Sequence, residues 1–475
     1  MPKRAAAIAL LLCTAAAAAG PIRSYDFFWH LATGRWIVEH RALPLYDPFA
    51  LASAHIPWIN GEWLWEIGAY GVQSAAGFRV FSILNAFFVA AIFTVAFWFA
   101  SRESDLGVTL LISAIAFAGA SDRLGVRPAE AAALLIVCAT ALLASRLSLA
   151  RLAIAYALLT VIWINTHPSA LLAPLLAAIT VLIDLRRAMV AAASALALLV
   201  NPFGWHAVAS PIALTRTVTS GAFVNVEWLP SSPLLFPLLY LTILAFGVAF
   251  VMSTRKREQM WRLASFALLA VLAIQHVRNQ SLYFAAFPLL FPPAGRLSPK
   301  ASLAIGLGAL IPIGWVFAGA NHSLGVDGHY FPVQAVARLQ SSGLRGNIYN
   351  ADQFGGYLEW RFYPERRTIT DGRNELFASF IADDARARRD SRAWHAILRR
   401  YKIDLAVDEI EKGRIEVIDA VTRQRRFLPP SQVRYPRRDW ALIGFDQVAM
   451  VFARRAAFPP EVLAKFEIGG PAPDE

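Results

Sequence analysis

Residues 21–79 set Asp26, Glu39, Asp47, Glu62 and Glu66 among Trp29, Trp36, Trp58, Trp63 and Trp65. Acids on so apolar and aromatic a segment are costly to bury without a partner or a task. Asp26 and His30 stand one helical turn apart and so share a face. A carboxylate there suits the removal of a proton from an attacking hydroxyl. Asp26 can also open a helix and accept backbone N–H bonds, and the two roles do not exclude each other. Asp47, Glu62 and Glu66 are further acids for substrate contact. His167, His206, Glu227, Arg278 and Asn279 stand at or near the ends of apolar segments. An arginine in such a place fits a phosphate oxygen. Arg278 can equally snorkel or pair with Glu227. His167 precedes Pro168 and can be a hydrogen-bonded helix-end residue, while His206 beside Trp205 can be an interface anchor. No His-x-x-x-His, Cys-x-x-Cys, phosphate-cradling glycine loop or Ser-His-Asp order is present, so hydrolase, zinc and ATP-driven chemistries have no motif.

The elements that must position these groups belong to a membrane bundle. Of 475 residues, 57% are hydrophobic and 16% charged, against about 25% charged in soluble domains. The depletion is uneven: 1–320 reads as a transmembrane domain and 321–475 as a soluble one. Lys3 and Arg4 precede the apolar stretch Ala5–Ala19, which reads as a cleaved signal or, preferably, as a retained first membrane helix. Further apolar segments fall near 80–100, 106–120, 129–145, 151–166, 169–184, 188–201, 234–253, 261–276, 281–295 and 301–320. Together they predict an α-helical polytopic bundle of about 11 transmembrane helices. With the N-terminus in the cytoplasm, Arg102, Arg146, Arg151, Arg186, Arg187, the cluster Arg255-Lys256-Arg257, Arg262, Arg296 and Lys300 fall inside. The outer connections carry Arg123, Arg127, Arg216 and Arg278. That bias obeys the positive-inside rule and sends the C-terminal domain to the periplasm of a bacterial inner membrane. The net charge of +12 is then a topology signal and not a nucleic-acid surface. Cys13 and Cys138 both lie in apolar stretches, which argues against a disulfide or thiolate metal site.

Segment 21–79 becomes the first outer loop, with interfacial helices at 26–40 and 60–74 separated by Pro44, Pro48 and Pro57. In the C-terminal α/β domain, RGNIYNA, YLEWRFY, RRTITDG, IDLAVDEI, WALIGFD and VAMVFARR read as strand-containing pieces. Helical patterns fall near 332–342, 375–388 and 391–402. Gly355-Gly356 reads as a turn that lets backbone approach closely. Asp371-Gly372-Arg373 reads as a strand end that exposes an acid and a base, either as a turn ion pair or for acceptor binding.

The segment DFFWHLATGRWIVEHRALPLYDPF, followed by PWINGEWLWE, resembles the first outer loop of a group of bacterial multi-pass proteins placed with the GT-C glycosyltransferases, near the protein O-mannosyltransferases and lipid A glycosyltransferases. Further similar elements follow in order: WINTHPSALLAP (163–174), LVNPFGWHAV (199–208), VEWLP (226–230), HVRNQSLYFAAFPLL (276–290) and FGGYLEWRFYPERRTITDGRNELF (354–377). The group often carries a second aspartate two residues before the one matching Asp26; here that residue is Ser24. The departure weakens a paired-aspartate metal site and leaves a divalent cation open as cofactor.

The resemblance implies transfer of a sugar, with inversion, from a polyprenyl-phosphate donor to an envelope glycan, lipid or protein acceptor on the outer face. It implies Asp26 as the base, because GT-C enzymes keep an acid after the first helix. The alternative from another class is a non-catalytic envelope protein or a lipid-linked-saccharide transporter, which Ser24 favours. A transporter should show inverted halves and mid-bilayer charge pairs, and the sequence has no convincing internal repeat.

Overall fold

The structure, a computed structural model, describes residues 3–219, 226–253, 259–418 and 423–474. The basic cluster Arg255-Lys256-Arg257 lies outside the described residues. The chain divides into two compact units, one of 1–22 with 59–325 and one of 23–58 with 326–475.

The first unit is helical. It holds α1 (Lys3–Ala18), α3 (Trp63–Ala100), α4 (Leu106–Ala120), α5 (Pro128–Leu143), α6 (Leu149–Ile164), α7 (Leu172–Ile179) and α8 (Ala188–Ala197). After these come α9 (Trp205–Thr219), α10 (Pro237–Met252), α11 (Met260–Gln275), α12 (Gln280–Leu290), α13 (Pro299–Leu307) and α14 (Leu310–Gly319). Among the described residues, Trp63–Ala100, Leu106–Arg123 and Pro299–Gly319 are long and apolar enough to cross a membrane. Other apolar helices are shorter, including α5, α6, α10 and α11. Short 3-10 turns flank or break the expected span 169–184: Pro168–Leu171 opens it, Thr180–Leu182 falls inside it and Leu185–Arg187 follows in the connection after it. Those turns follow from Pro168, which lacks an amide donor, and from Asp184, whose side chain accepts the Arg186 N–H.

Within α3, Gly77 has φ 72° and ψ 173°, a break only glycine tolerates readily. It separates the expected interfacial helix from the span that follows. Small residues let helices touch: a Cβ on Gly107 would come 1.8 Å from the Ser302 carbonyl oxygen, and one on Gly119 2.3 Å from the Phe284 ring. The core is filled by Phe93, Phe97, Phe117, Trp163 and Tyr283. Leu244, Val251 and Met252 on α10 and Ile311 on α14 stand exposed. Large apolar side chains turned outward along apolar helices belong to a membrane protein.

The second unit opens with α2 (Phe27–His40), closed by Arg41 in the left-handed region at φ 51°. It continues through α15 (Val333–Ser342), β1 (Asn347–Asn350), α16 (Asp352–Phe362), α17 (Asn374–Ala387), α18 (Ser391–Arg400), β2 (Ile403–Glu409), β3 (Ile415–Ile418), β4 (Arg425–Leu428), β5 (Trp440–Phe445) and β6 (Ala449–Arg454). The main sheet runs β1-β2-β6-β5. β1 is parallel to β2, while β2–β6 and β6–β5 are antiparallel. Helices pack on this sheet through Tyr349, Trp394, Trp440 and Phe452, so the expected small α/β domain is present.

Five details differ from the sequence reading. YLEWRFY lies in α16 and not in a strand. RRTITDG forms no strand, and Thr368 makes only an isolated bridge to Ala50. The glycine pair sits inside α16, where a Cβ on Gly355 would meet the Thr370 oxygen at 2.1 Å and one on Gly356 the Trp29 nitrogen at 2.8 Å. Close approach was legible; the helix around it was not, because aromatic alternation mimicked a strand. The β3–β4 ribbon was not expected. Segment 23–58, grouped by composition with the helices, is built into this unit: Leu51 N–H donates to Thr368 O at 2.9 Å, and Trp29 and Trp58 pack with Leu376 and Phe377.

Candidate functional site

In the helical unit, two asparagines fix helix ends. Asn165 Nδ2 donates to the Val161 and Val200 carbonyls at 2.8 and 2.9 Å, and its Oδ1 accepts from the Trp63 indole at 2.9 Å. Asn201 Oδ1 accepts the Phe203 N–H at 2.8 Å, and its Nδ2 donates to Leu198 and Gly204. Gly204 takes φ +54°, which closes that turn. The Trp-x-Asn-x-His and Asn-Pro-Phe-Gly elements are therefore clamps.

They hold His167. Its Nδ1 accepts the Ser169 N–H at 3.1 Å and lies 2.8 Å from the Ser169 hydroxyl, which in turn accepts from the Trp163 indole. The ring proton is thereby assigned to Nε2. That atom faces Glu62 Oε1 at 3.8 Å. Burial, reinforced by the charges of Arg278 and Arg127, lowers His167 to about 3, so the ring is neutral. Glu62 donates its N–H to Asn60 Oδ1, and Asn60 donates to the buried Glu66 at 2.6 Å.

Cations gather beside this pair. Arg127 Nη1 bonds Glu227 Oε1 at 2.6 Å. Burial pushes the Glu227 carboxyl up, but Arg127, with Arg278 and Arg123, holds it below the usual carboxylate range. Arg278 lies 4.7 Å over the Trp228 ring, half-buried, with no ion pair to a described residue. The expected alternative of an Arg278–Glu227 pair is thus replaced by Arg127–Glu227. The Trp228 platform is fixed by His276, whose Nδ1 lies 2.7 Å from the Trp228 carbonyl. Asn279 is a further clamp, donating to Leu272 O at 3.1 Å. His206 is exposed on α9 beside Trp205. Arg127 was read from sequence as an orienting charge alone; its position just before Pro128, at a helix start, was the available signal.

In the second unit, Asp26 precedes α2 without capping it through its side chain. It is half-buried, takes a long 3.5 Å contact from the Trp29 indole, and its Oδ1 would lie 2.8 Å from a Cβ at Gly372. His30 is buried, its ring 3.5 Å from that of Trp29. Asp47 is buried too: it accepts from Phe49 N–H at 2.9 Å, from the Ser53 hydroxyl and from Arg373 Nη2 at 3.1 Å. Arg373 also binds Asp371 and lies 3.9 Å from Glu359, under the Trp58 ring at 4.5 Å. Asp371 and Arg373, expected at the surface, are only 1% and 2% exposed. Their apolar neighbours Trp29, Trp58 and Phe49 arrive from far along the chain, which local sequence could not display. Burial, then the charges of Asp371 and Asp47, keeps the Glu359 carboxyl well above its usual range despite Arg373. Among the described residues, no three His, Cys, Asp or Glu side chains converge in a way that could hold a metal ion.

No family model matches the sequence, and no curated protein is significantly similar to it. Solved structures are similar. The oligosaccharyltransferase of Archaeoglobus fulgidus, tethered to an acceptor peptide containing the NVT sequon, gives a TM-score of 0.57 at 10% identity, over 89% of this chain and 74% of that one. The same enzyme in complex with zinc and sulfate gives 0.51 at 11% identity, over 89% and 73%. The mycobacterial arabinofuranosyltransferase AftD gives 0.52 at 14% identity, over 95% of this chain and 40% of that one. The fold is GT-C-like. That agrees with the resemblance carried by the ordered motifs.

Proposed function

We propose that the chain is a membrane glycosyltransferase that moves a sugar from a polyprenyl-phosphate donor to an envelope glycan, lipid or protein acceptor on the outer, periplasmic face of a bacterial inner membrane. One observation carries this reading. On a GT-C-like fold, the half-buried Arg278 forms no close ion pair with a carboxylate among the described residues, and it stands in a cluster with Arg127–Glu227 and the His167–Glu62 pair. A cation held on an aromatic face and only partly hydrated is suited to a donor phosphodiester anion and to the second negative charge that develops as the phosphate departs. The neutral His167 adds an Nε2–H donor without adding charge.

In this reading Arg278, helped by Arg127, binds the donor phosphate. The acceptor hydroxyl oxygen forms a bond to the anomeric carbon while the bond from that carbon to the phosphate oxygen breaks. Polyprenyl phosphate leaves with the electron pair, stabilised by the arginines. The acceptor proton passes to a carboxylate. Glu62, 3.8 Å from His167 Nε2, is placed in that role. Asp26, the base expected from the sequence, is the comparison. Asn60 and Glu66 hold the segment carrying Glu62.

The test is transfer from polyprenyl-phosphate sugars by the protein in proteoliposomes. Glu62→Gln should lower turnover about 100-fold or more, within the range a general base supplies, with donor binding intact. Loss in Asp26→Asn with retention in Glu62→Gln would move the base to Asp26. Donor binding without transfer by the unaltered protein would favour the carrier alternative.

A further inference from the structure

At the basic end of the helical unit, α1, the α3–α4 connection and α13–α14 enclose a groove of about 750 Å³. The volume falls within the roughly 300–1,000 Å³ that holds a sizeable organic ligand. Its lining is largely apolar and includes Leu10, Leu110, Leu303, Leu310 and Ile313. Its mouth carries Lys3, Arg102 and Arg296. Lys3 Nζ donates to the Trp98 carbonyl at 2.6 Å and lies 4.5 Å over that ring. Arg102 lies 4.6 Å over Phe99, and neither it nor the exposed Arg296 forms an ion pair with a described residue.

The two acids at the same mouth are already engaged. Glu103 binds Arg262 at 2.5 Å. Asp105 accepts from the Gly107, Val108 and Leu297 amides and from the Ser302 hydroxyl. The groove therefore carries three cations that form no ion pair with a described residue, beside Glu103, which is paired with Arg262, and Asp105, whose charge is held by amides and a hydroxyl. Charges that only set topology need a place in a loop; they do not need to ring a cavity.

We propose that this groove binds an anionic phospholipid of the adjoining leaflet, its phosphate on Lys3, Arg102 and Arg296 and an acyl chain along α1, α4 and α13–α14. Lipid there would fill the space beside α13–α14, whose apolar stretch is only 17% buried within the protein. The site is separate from the His167–Arg278 cluster in sequence and lining, and the proposal does not depend on transferase activity.

The experiment is native mass spectrometry of the detergent-purified protein with phosphatidylglycerol, phosphatidylcholine or inorganic phosphate added. The unaltered protein should retain phosphatidylglycerol in preference to phosphatidylcholine. Arg102→Gln and Arg296→Gln should each lower that preference about fivefold. Leu110→Trp, which fills the groove, should reduce retention of both lipids, while circular dichroism reports an unchanged fold. Inorganic phosphate should not displace the lipid. Equal retention of the two lipids, displacement by phosphate, or an unchanged preference in Arg102→Gln/Arg296→Gln would overturn the proposal.

Discussion

At the scale of single residues, ionisation states make the sharpest predictions. His167 is kept neutral, its value lowered to about 3 from an ordinary 6.5. The unfolded chain therefore binds the extra proton between these values, so stability is full above about pH 6.5 and is lost as pH falls toward 3. Thermal melting between pH 7.5 and 4.5 should fall, and His167→Gln should flatten that fall. An identical slope in the variant would contradict a buried neutral ring. Glu359 has the opposite sign. Its folded value is raised well above 4.5, so the folded state holds a proton that the unfolded state releases. That contribution disfavours folding progressively as pH rises above 4.5. Glu359→Gln, which mimics the protonated acid, should melt at or above the temperature of the unaltered protein at pH 8, and a large loss there would show that the charge is needed. The sequence reading named His167, Glu62, Glu227 and Arg278 as candidates. It missed Arg127 as their partner because that pairing spans 100 residues, and Coulomb attraction leaves no trace in local pattern.

At the scale of elements, hydropathy displayed the helices well, since lipid and core both select apolar side chains over whole segments. Span length was less legible: the turn at Thr180–Leu182 falls inside an apolar run whose composition hardly changes, while Pro168 and Asp184 set short turns at its borders. In the second unit, β1, β2, β5 and β6 were visible as apolar β-branched or aromatic runs, whereas α16 was hidden by DQFGGYLEWRF, where two glycines lower helix preference. Their cause is packing. Gly355→Ala would drive a Cβ to 2.1 Å from the Thr370 oxygen, and overpacking of this kind costs about 1–3 kcal/mol. A melting temperature lowered by several degrees is expected. An unaffected melt would mean that α16 and the 368–371 segment can separate without strain.

At the scale of the molecule, composition divides the chain at about residue 320, but packing divides it differently. Trp29, Asp47, Phe49 and Trp58 of segment 23–58 complete the interior around Arg373. Expressed alone, 326–475 should expose that buried charge and fail to give dispersed amide spectra, while a version carrying 23–58 through a flexible linker should fold. A well-folded 326–475 fragment would contradict this assignment. Hydrophobic patterning reports what faces lipid or core, and it is silent on which distant segment completes a soluble interior.

The central claim is that Arg278 on Trp228, with Arg127 beside it, receives a lipid-borne phosphate. The most direct measurement is binding of a polyprenyl monophosphate to the purified protein, comparing the unaltered chain with Arg278→Gln at matched thermal stability. A drop in affinity of about tenfold or more is expected, the scale of one charge-assisted phosphate contact. Equal affinity in the two proteins, or no binding to either, would contradict the account.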